Sequence, residues 1–164
     1  MQNVLSVGAA LEIHHLTSPL FFIAYSVIVC ATLLFFRYRH EAVLFGVTFI
    51  VTTALVVALK HIFAIPRPES ALVQLTDYAF PSNHAALSAV FAVVLGWFFK
   101  YRAHCARWVS FLAVAAFVVL AVLVDISRLV LEVHTLVQVV AGTLIGSTIS
   151  VIAIYVLGLK ERMR

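Results

Sequence analysis

The sequence predicts an all-α, polytopic membrane bundle of about five transmembrane helices plus an N-terminal interfacial helix, and three observations lead there. First, the 164-residue chain is 64% hydrophobic and only 11% charged, with a mean hydropathy of +1.12, far from the mix of a soluble globular domain. Second, stretches at roughly 18 to 36, 42 to 63, 83 to 99, 108 to 126 and 136 to 158 each come close to the ~20 apolar residues that cross a bilayer as helix. Third, these runs are continuous, without the alternation of a lipid-facing barrel strand.

Taken in order, MQNVLSVGAALEIHHLT (1 to 17) lacks the positive n-region and cleavage site of a signal peptide, and reads as an interfacial helix or a short re-entrant segment. The first span carries Cys30, and the basic loop after the third carries Cys105. Two cysteines in different environments make no disulfide framework, and both read as structural. The second span ends at KHIFAIPRP (60 to 68), where Pro66 and Pro68 bracket Arg67 in stiff, extended backbone. Next comes a 19-residue connection from Ala64 to Ser82, long enough for a small cap but not for a separate domain. The third span starts at PSNHAALSAV, with Ser82 as its N-cap. The fourth runs into SRLVLEVHTLVQ (127 to 138), and the fifth carries Gly142 and Gly146 in a GxxxG spacing suited to close packing within the bundle.

Orientation follows from the basic residues. Of eleven Lys and Arg, eight fall on one side of a five-span chain: Arg37, Arg39, Lys100, Arg102, Arg107, Lys160, Arg162 and Arg164. The positive-inside bias makes that side, with the C-terminus, cytoplasmic. Topology therefore accounts for most of the basic surplus, and no basic-aromatic interleaving marks a nucleic-acid surface. Lys60, Arg67 and Arg128 lie on the other side, where the bias predicts no cations.

Those three cations share their end of the bundle with His84 and His134. Ionisable groups at membrane depth usually mark function, and guanidinium and ammonium groups suit a dense anion such as phosphate. The start of a helix at Ser82 adds free N–H groups that also favour an anion. His134 and Gln138, four apart, fall on one helix face, so the amide oxygen can accept Nδ1–H and leave Nε2 free to attack. Each stretch also has a plainer reading: a snorkelling arginine at Arg67, an ordinary N-cap beside an interfacial His84, and His–Gln bonding between helices. Asp125 and Glu132 are acids near the same end, and Glu132 also fits an i, i+4 pair with Arg128.

Together, KHIFAIPRP, PSNH and SRLVLEVHTLVQ resemble the type 2 phosphatidic acid phosphatase superfamily, whose pattern is Lys, six residues, Arg-Pro; Pro-Ser-Gly-His; and Ser-Arg, five residues, His, three residues, Asp. The resemblance covers roughly residues 42 to 158, so it implies one such domain over the chain with that stretch as its catalytic core. It also implies phosphomonoester or diphosphate hydrolysis through a phosphohistidine, without metal or other cofactor. By position, His134 is then the nucleophile, His84 the general acid and Gln138 the orienter; Lys60, Arg67 and Arg128 bind the phosphoryl oxygens, with hydrogen bonds from Ser82, Asn83 and Ser127. Two positions depart from the pattern. Asn83 stands for glycine, and Gln138 stands for aspartate, which keeps an acceptor but removes a negative charge. Glutamine at the latter position also occurs in glucose-6-phosphatase and dolichyl diphosphatase, which HTLVQVVAG resembles.

A lipid substrate suits a site at the outer face, with Phe63, Tyr78 and Phe80 as headgroup-level aromatics. The expected partners are therefore the phospholipid bilayer and a membrane lipid phosphate: polyprenyl diphosphate such as undecaprenyl diphosphate, phosphatidic acid or phosphatidylglycerol phosphate. The expected location is the bacterial or archaeal cytoplasmic membrane. A lipid phosphotransferase, or a catalytically weakened lipid-phosphate binding or transport protein, remains open. Vanadate-dependent haloperoxidases share the site pattern, but the membrane spans argue against them.

Overall fold

The structure, a computed structural model, describes residues 4–162, with side-chain surroundings from 6 to 156. Arg164 and the side chains of Lys160 and Arg162, part of the predicted cytoplasmic set, lie outside that description. Six helices and no strands occur among the described residues: α1 (Val4–Leu16), α2 (Pro19–Phe35), α3 (Arg39–Phe63), α4 (Asn83–Tyr101), α5 (Arg107–Val130) and α6 (Leu136–Arg162). The expected all-α membrane bundle is what the chain forms.

Four helices, α3 to α6, are each long and apolar enough to cross a bilayer alone. The fifth crossing differs from the sequence expectation. α2 has 17 residues, and it reaches spanning length together with α1, to which it is joined at a 56° bend. Pro19 at the first turn of α2 accounts for the break: its ring presets the helical φ and it has no N–H to continue from α1. Rather than standing apart, α1 packs Ala10, Val7 and Leu11 against Leu131 and Val133 beyond the end of α5.

α4 is the central helix. Of its most apolar window 61% is buried, against 6% for α5, whose Trp108, Phe111, Leu112 and Leu120 face outward. A bundle in lipid can leave such side chains outside because the surrounding solvent is itself apolar, and Leu120, though exposed, borders an apolar cavity. The main core lies toward one end, where Leu33, Phe45, Val90, Val94 and Phe98 join α2, α3 and α4. At that end, Arg102 Nε donates to the buried Glu41 carboxylate at 2.5 Å, tying the exit of α4 to the entry of α3. Both cysteines are free thiols.

Packing at the other end depends on two glycines. A methyl group at Gly142 would overlap the Ser82 carbonyl oxygen, and one at Gly146 would overlap that of Ala86. α6 therefore lies directly against the backbone of α4, as the GxxxG spacing predicts. The Ser82 N–H then donates to the Gln138 carbonyl at 3.1 Å, so the starts of α4 and α6 are joined backbone to backbone.

Candidate active site

The polar groups at this end come from helix termini and from the segments that join them. α3 finishes with Lys60 in its last turn and a left-handed C-cap at Ala64 (φ 46°), and the chain turns away into Pro66. The 64–82 connection folds back over the end of the bundle. Ala79 N–H bonds the Ile65 carbonyl at 2.8 Å, and Leu72 N–H bonds the Leu131 carbonyl at 3.0 Å. Phe63 meets Phe80 and His61 meets Tyr78 edge to face, so the expected aromatics do flank the site.

Lys60 and Arg67 converge on one acid, Asp77. Lys60 Nζ lies 2.9 Å from Asp77 Oδ2 and also donates to the Tyr78 carbonyl. Arg67 places Nη2 at 2.5 Å and Nε at 3.2 Å from Asp77 Oδ1. Burial alone would raise the Asp77 carboxyl, but the hydrogen bonds from Lys60 and Arg67 outweigh it and hold the group below its ordinary value. No sequence motif marks Asp77; only the fold of the connection brings it between the two cations.

Arg67 also reaches His134. Its Nη1 donates to the Val133 carbonyl at 2.9 Å and lies 3.3 Å from His134 Nε2. On the other side of the ring, His134 Nδ1 is 3.2 Å from Gln138 Oε1. A guanidinium can only donate, so Nε2 accepts and the ring proton sits on Nδ1, directed at the amide oxygen. Burial first, and the Arg67 charge second, push the His134 pKa down to about 4 against a weaker opposing pull from Gln138. The imidazole is therefore neutral at physiological pH, with its lone pair on Nε2.

Gln138 has a second duty. Its Oε1 accepts the Thr135 N–H at 3.0 Å, while Thr135 Oγ1 accepts the Gln138 N–H at 3.5 Å. That reciprocal pair is a capping box at the start of α6. The predicted i, i+4 geometry is thus realised differently: His134 stands just outside the helix, and Gln138 reaches back across the cap. The sequence signal for the cap is local: Thr-x-x-Gln before an apolar run.

α4 starts as predicted, with Ser82 Oγ accepting the Ala85 N–H at 3.4 Å. The N–H groups of Asn83 and His84 open the helix without intrahelical acceptors. Asn83 Oδ1 and His84 Nε2 are buried without a hydrogen-bond partner among the described residues. The His84 ring packs between Phe22 and His14, each with centroids 6.0 Å away, and lies within electrostatic reach of Arg128, His134 and Arg67.

Arg128, fully buried, forms the remaining wall. Its Nε and Nη2 donate to Ser127 Oγ at 3.1 and 2.9 Å, and its Nη1 lies 2.9 Å from His14 Nδ1. The Ser127 hydroxyl itself donates to the Val124 carbonyl at 2.6 Å, so its hydrogen is spent and its oxygen holds the Arg128 fork. Glu132 follows α5 with φ 55°, in the turn after the helix. Asp125 faces α6 instead and accepts from Thr143 at 2.9 Å. All nine predicted site residues fall at this end of the bundle, joined by Asp77, Thr135 and His14.

Uncommitted donors converge there: one hydrogen on Lys60, one on Arg67 Nη2, two on Arg128 and the first two N–H groups of α4. Beside them runs an apolar cavity of about 360 Å³ between α1, α2, α4 and α5, lined by Ile13, Phe22, Ser88, Phe91, Leu120 and Val124 among others. Ser88 lies one turn beyond His84 on α4, and Phe22 packs against the His84 ring, so the cavity adjoins the site on the His84 side.

The family model for the PAP2 superfamily matches residues 41–162. Over 104 residues the chain is 34% identical to the palmitoyl-protein thioesterase-dolichyl pyrophosphate phosphatase fusion 1 of Schizosaccharomyces pombe, covering 62% of this chain and 16% of that protein. Over 131 residues it is 29% identical to an undecaprenyl-diphosphatase of Sulfolobus acidocaldarius, covering 76% of this chain and 59% of that protein. The chain thus spans less than two thirds of either curated relative. Among solved structures, it superposes on the transmembrane PAP2 type phosphatidylglycerolphosphate phosphatase from Bacillus subtilis with a TM-score of 0.84 and 26% identity, covering 100% of this chain and 80% of that one.

Proposed function

The chain belongs to the PAP2 superfamily, and from that premise we propose that it is a membrane lipid phosphatase or diphosphatase working through a phosphohistidine on His134. The observation that carries this reading is the pairing at that ring. Gln138 takes Nδ1–H, and the neutral Nε2 lone pair faces Arg67 among the converging donors.

In the first step, His134 Nε2 forms a bond to phosphorus while the ester or anhydride oxygen leaves with a proton from His84. In the second, water adds to phosphorus, its proton returns to His84, and the P–N bond breaks to release phosphate and free His134. Lys60, Arg67, Arg128 and the opening of α4, with Ser82 and Asn83, supply donors to the equatorial oxygens as charge builds on them, and preorganised donors of this kind are the largest usual source of rate. Ser127 contributes by holding Arg128. No step draws on a metal.

The apolar cavity beside His84 supports a lipid substrate, with its phosphate at the donors and a chain against Phe22 and Leu120. The relatives act on dolichyl pyrophosphate, undecaprenyl diphosphate and phosphatidylglycerol phosphate by name, and a polyprenyl diphosphate or a phosphatidyl phosphate fits the same donors here. The basic residues at the opposite end of the bundle support an outward-facing site with a cytoplasmic C-terminus.

The test is phosphate release by the purified chain in detergent from polyprenyl diphosphate, phosphatidic acid and phosphatidylglycerol phosphate, with EDTA present throughout. Release from at least one, lost in His134→Ala, is the expected result. Absence of both released phosphate and a phosphorylated acceptor lipid would sink the enzyme reading, and full turnover by His134→Ala would sink the nucleophile.

A further inference from the structure

We propose that His14, on α1, is a positioning residue for Arg128, which makes the N-terminal helix a part of the phosphate site; this rests on the phosphatase reading above. The contact is direct, 2.9 Å from Arg128 Nη1 to His14 Nδ1. Because the guanidinium donates, His14 accepts on Nδ1 and carries its own proton on Nε2. His14 lies outside the stretch matched by the family model, which begins at residue 41.

The chemistry of the holder matters. Lys60 and Arg67 are held by a carboxylate, Asp77, which offsets part of their charge. Arg128 is held by a serine oxygen and a neutral imidazole. Neither holder brings a charge of its own, and Asp125, the acid within electrostatic reach of Arg128, takes its hydrogen bond from Thr143 instead, so the fork's charge is offset less directly than those of Lys60 and Arg67. Within a buried site that difference is large, because charge is poorly screened there. Three of its five N–H groups are committed, and the remaining two keep a fixed direction. Without His14, the Nη1 side of the fork has lost its fixed partner, and Arg128 meets a phosphate only after reordering.

Placement agrees with this role. α1 is anchored by Ala10 against Leu131 and Val133, on the chain that leaves α5 just after Arg128. The His14 ring also lies 6.0 Å from that of His84, so one residue of α1 contacts two walls of the site. Its neighbour His15 is exposed.

The experiment uses the full chain in detergent with four variants, His14→Phe, His14→Asn, His14→Gln and the control His15→Gln. Two readouts are taken: kcat and KM for phosphate release from a lipid phosphate, and the rise in melting temperature on adding inorganic phosphate or orthovanadate. Phe keeps the ring but offers no acceptor. Asn keeps an acceptor near the place of Nδ1, whereas Gln moves it toward that of Nε2. Expected are a roughly tenfold to hundredfold loss of kcat/KM in His14→Phe, loss of most of its stabilisation by phosphate, partial rescue of both by Asn beyond Gln, and no change in the control. Wild-type kcat/KM and phosphate stabilisation in His14→Phe would overturn the assignment. If that variant does not fold, equal behaviour of Asn and Gln overturns it instead. Should wild type release no phosphate from any lipid, the phosphatase reading fails by itself. Phosphate stabilisation then decides the role of His14: its selective loss in the Phe variant supports positioning, while equal or absent stabilisation in wild type and variant overturns it.

Discussion

Gln138 Oε1 stands 3.2 Å from His134 Nδ1 and takes the Thr135 N–H at 3.0 Å with the same oxygen. One side chain thus sets the proton of the ring and caps the helix behind it. The glutamine that departs from the family pattern therefore has a structural role that an aspartate, shorter by one methylene, would have to fill from a different position.

Substitution at this position separates reach from charge. Gln138→Glu keeps the length and adds a negative charge, so the His134 pKa should rise from about 4, moving the acid limb of kcat/KM to higher pH. Gln138→Leu removes both bonds; kcat should fall about tenfold to a hundredfold, and the lost cap should lower thermal stability by about 1 kcal/mol. An unchanged pH profile in the Glu variant would show that the amide does not limit the ring.

The acid side of the wild-type profile follows from His134. Its pKa is held down to about 4, against an ordinary 6.5. Above 6.5 folded and unfolded chains are both neutral at this residue. Between 6.5 and about 4 only the unfolded chain takes the proton, so this group lowers stability as pH falls through that window. The folded site keeps its lone pair across the same range. Loss of kcat/KM from protonation of His134 is therefore expected near pH 4, and an NMR titration of the ring reports the same value directly. In Arg67→Gln the depressing charge is gone, and the titration should move up.

On the proposed function, Asp77, which pairs with both Lys60 and Arg67, is expected to compete with a bound phosphate for them. Its side chain is 54% exposed, so solvent screens the pairs and the effect is modest. Asp77→Asn should tighten inhibition by phosphate or orthovanadate by about twofold to fivefold. A weaker inhibition constant together with a raised KM would identify Asp77 as an organiser of the two cations.

Two glycines set the approach of α6 to α4. Alanine at Gly142 or Gly146 should cost about 1–3 kcal/mol through overpacking against backbone that cannot yield, read as a lower melting temperature in detergent. Gly142→Ala should also reduce kcat, because the displaced carbonyl belongs to Ser82, whose N–H bonds Gln138. Gly146→Ala acts a turn deeper, at Ala86, and should affect stability more than rate.

The helical bundle and the three site stretches were legible because they rest on local properties. Apolar runs reveal spans, Ser82 announces a cap, and GxxxG announces close packing. The polar residues stood out because an apolar solvent makes them costly. What escaped the sequence depended on how the chain returns upon itself. Asp77 sits in a connection with no periodicity, and nothing local says that it folds back onto Lys60. His14 lies in a segment that looked interfacial, and the bend before Pro19 brings it against Arg128. Thr135 is different: its capping signal is local and readable, but the i, i+4 spacing of His134 and Gln138 fits one continuous helix equally well and hides the cap between them.

The glycine seam between α4 and α6 also bears on temperature and lipid composition. Where helices meet through large side chains, rotamer changes let the gap between them breathe. Here the carbonyls of Ser82 and Ala86 meet Gly142 and Gly146 with no side chain between. The two helix starts beside the histidines are thus spaced by direct backbone contact and one backbone hydrogen bond, a ruler with no side chain to turn. Warming or a thicker bilayer can loosen the lipid-facing α5 while leaving that spacing unchanged.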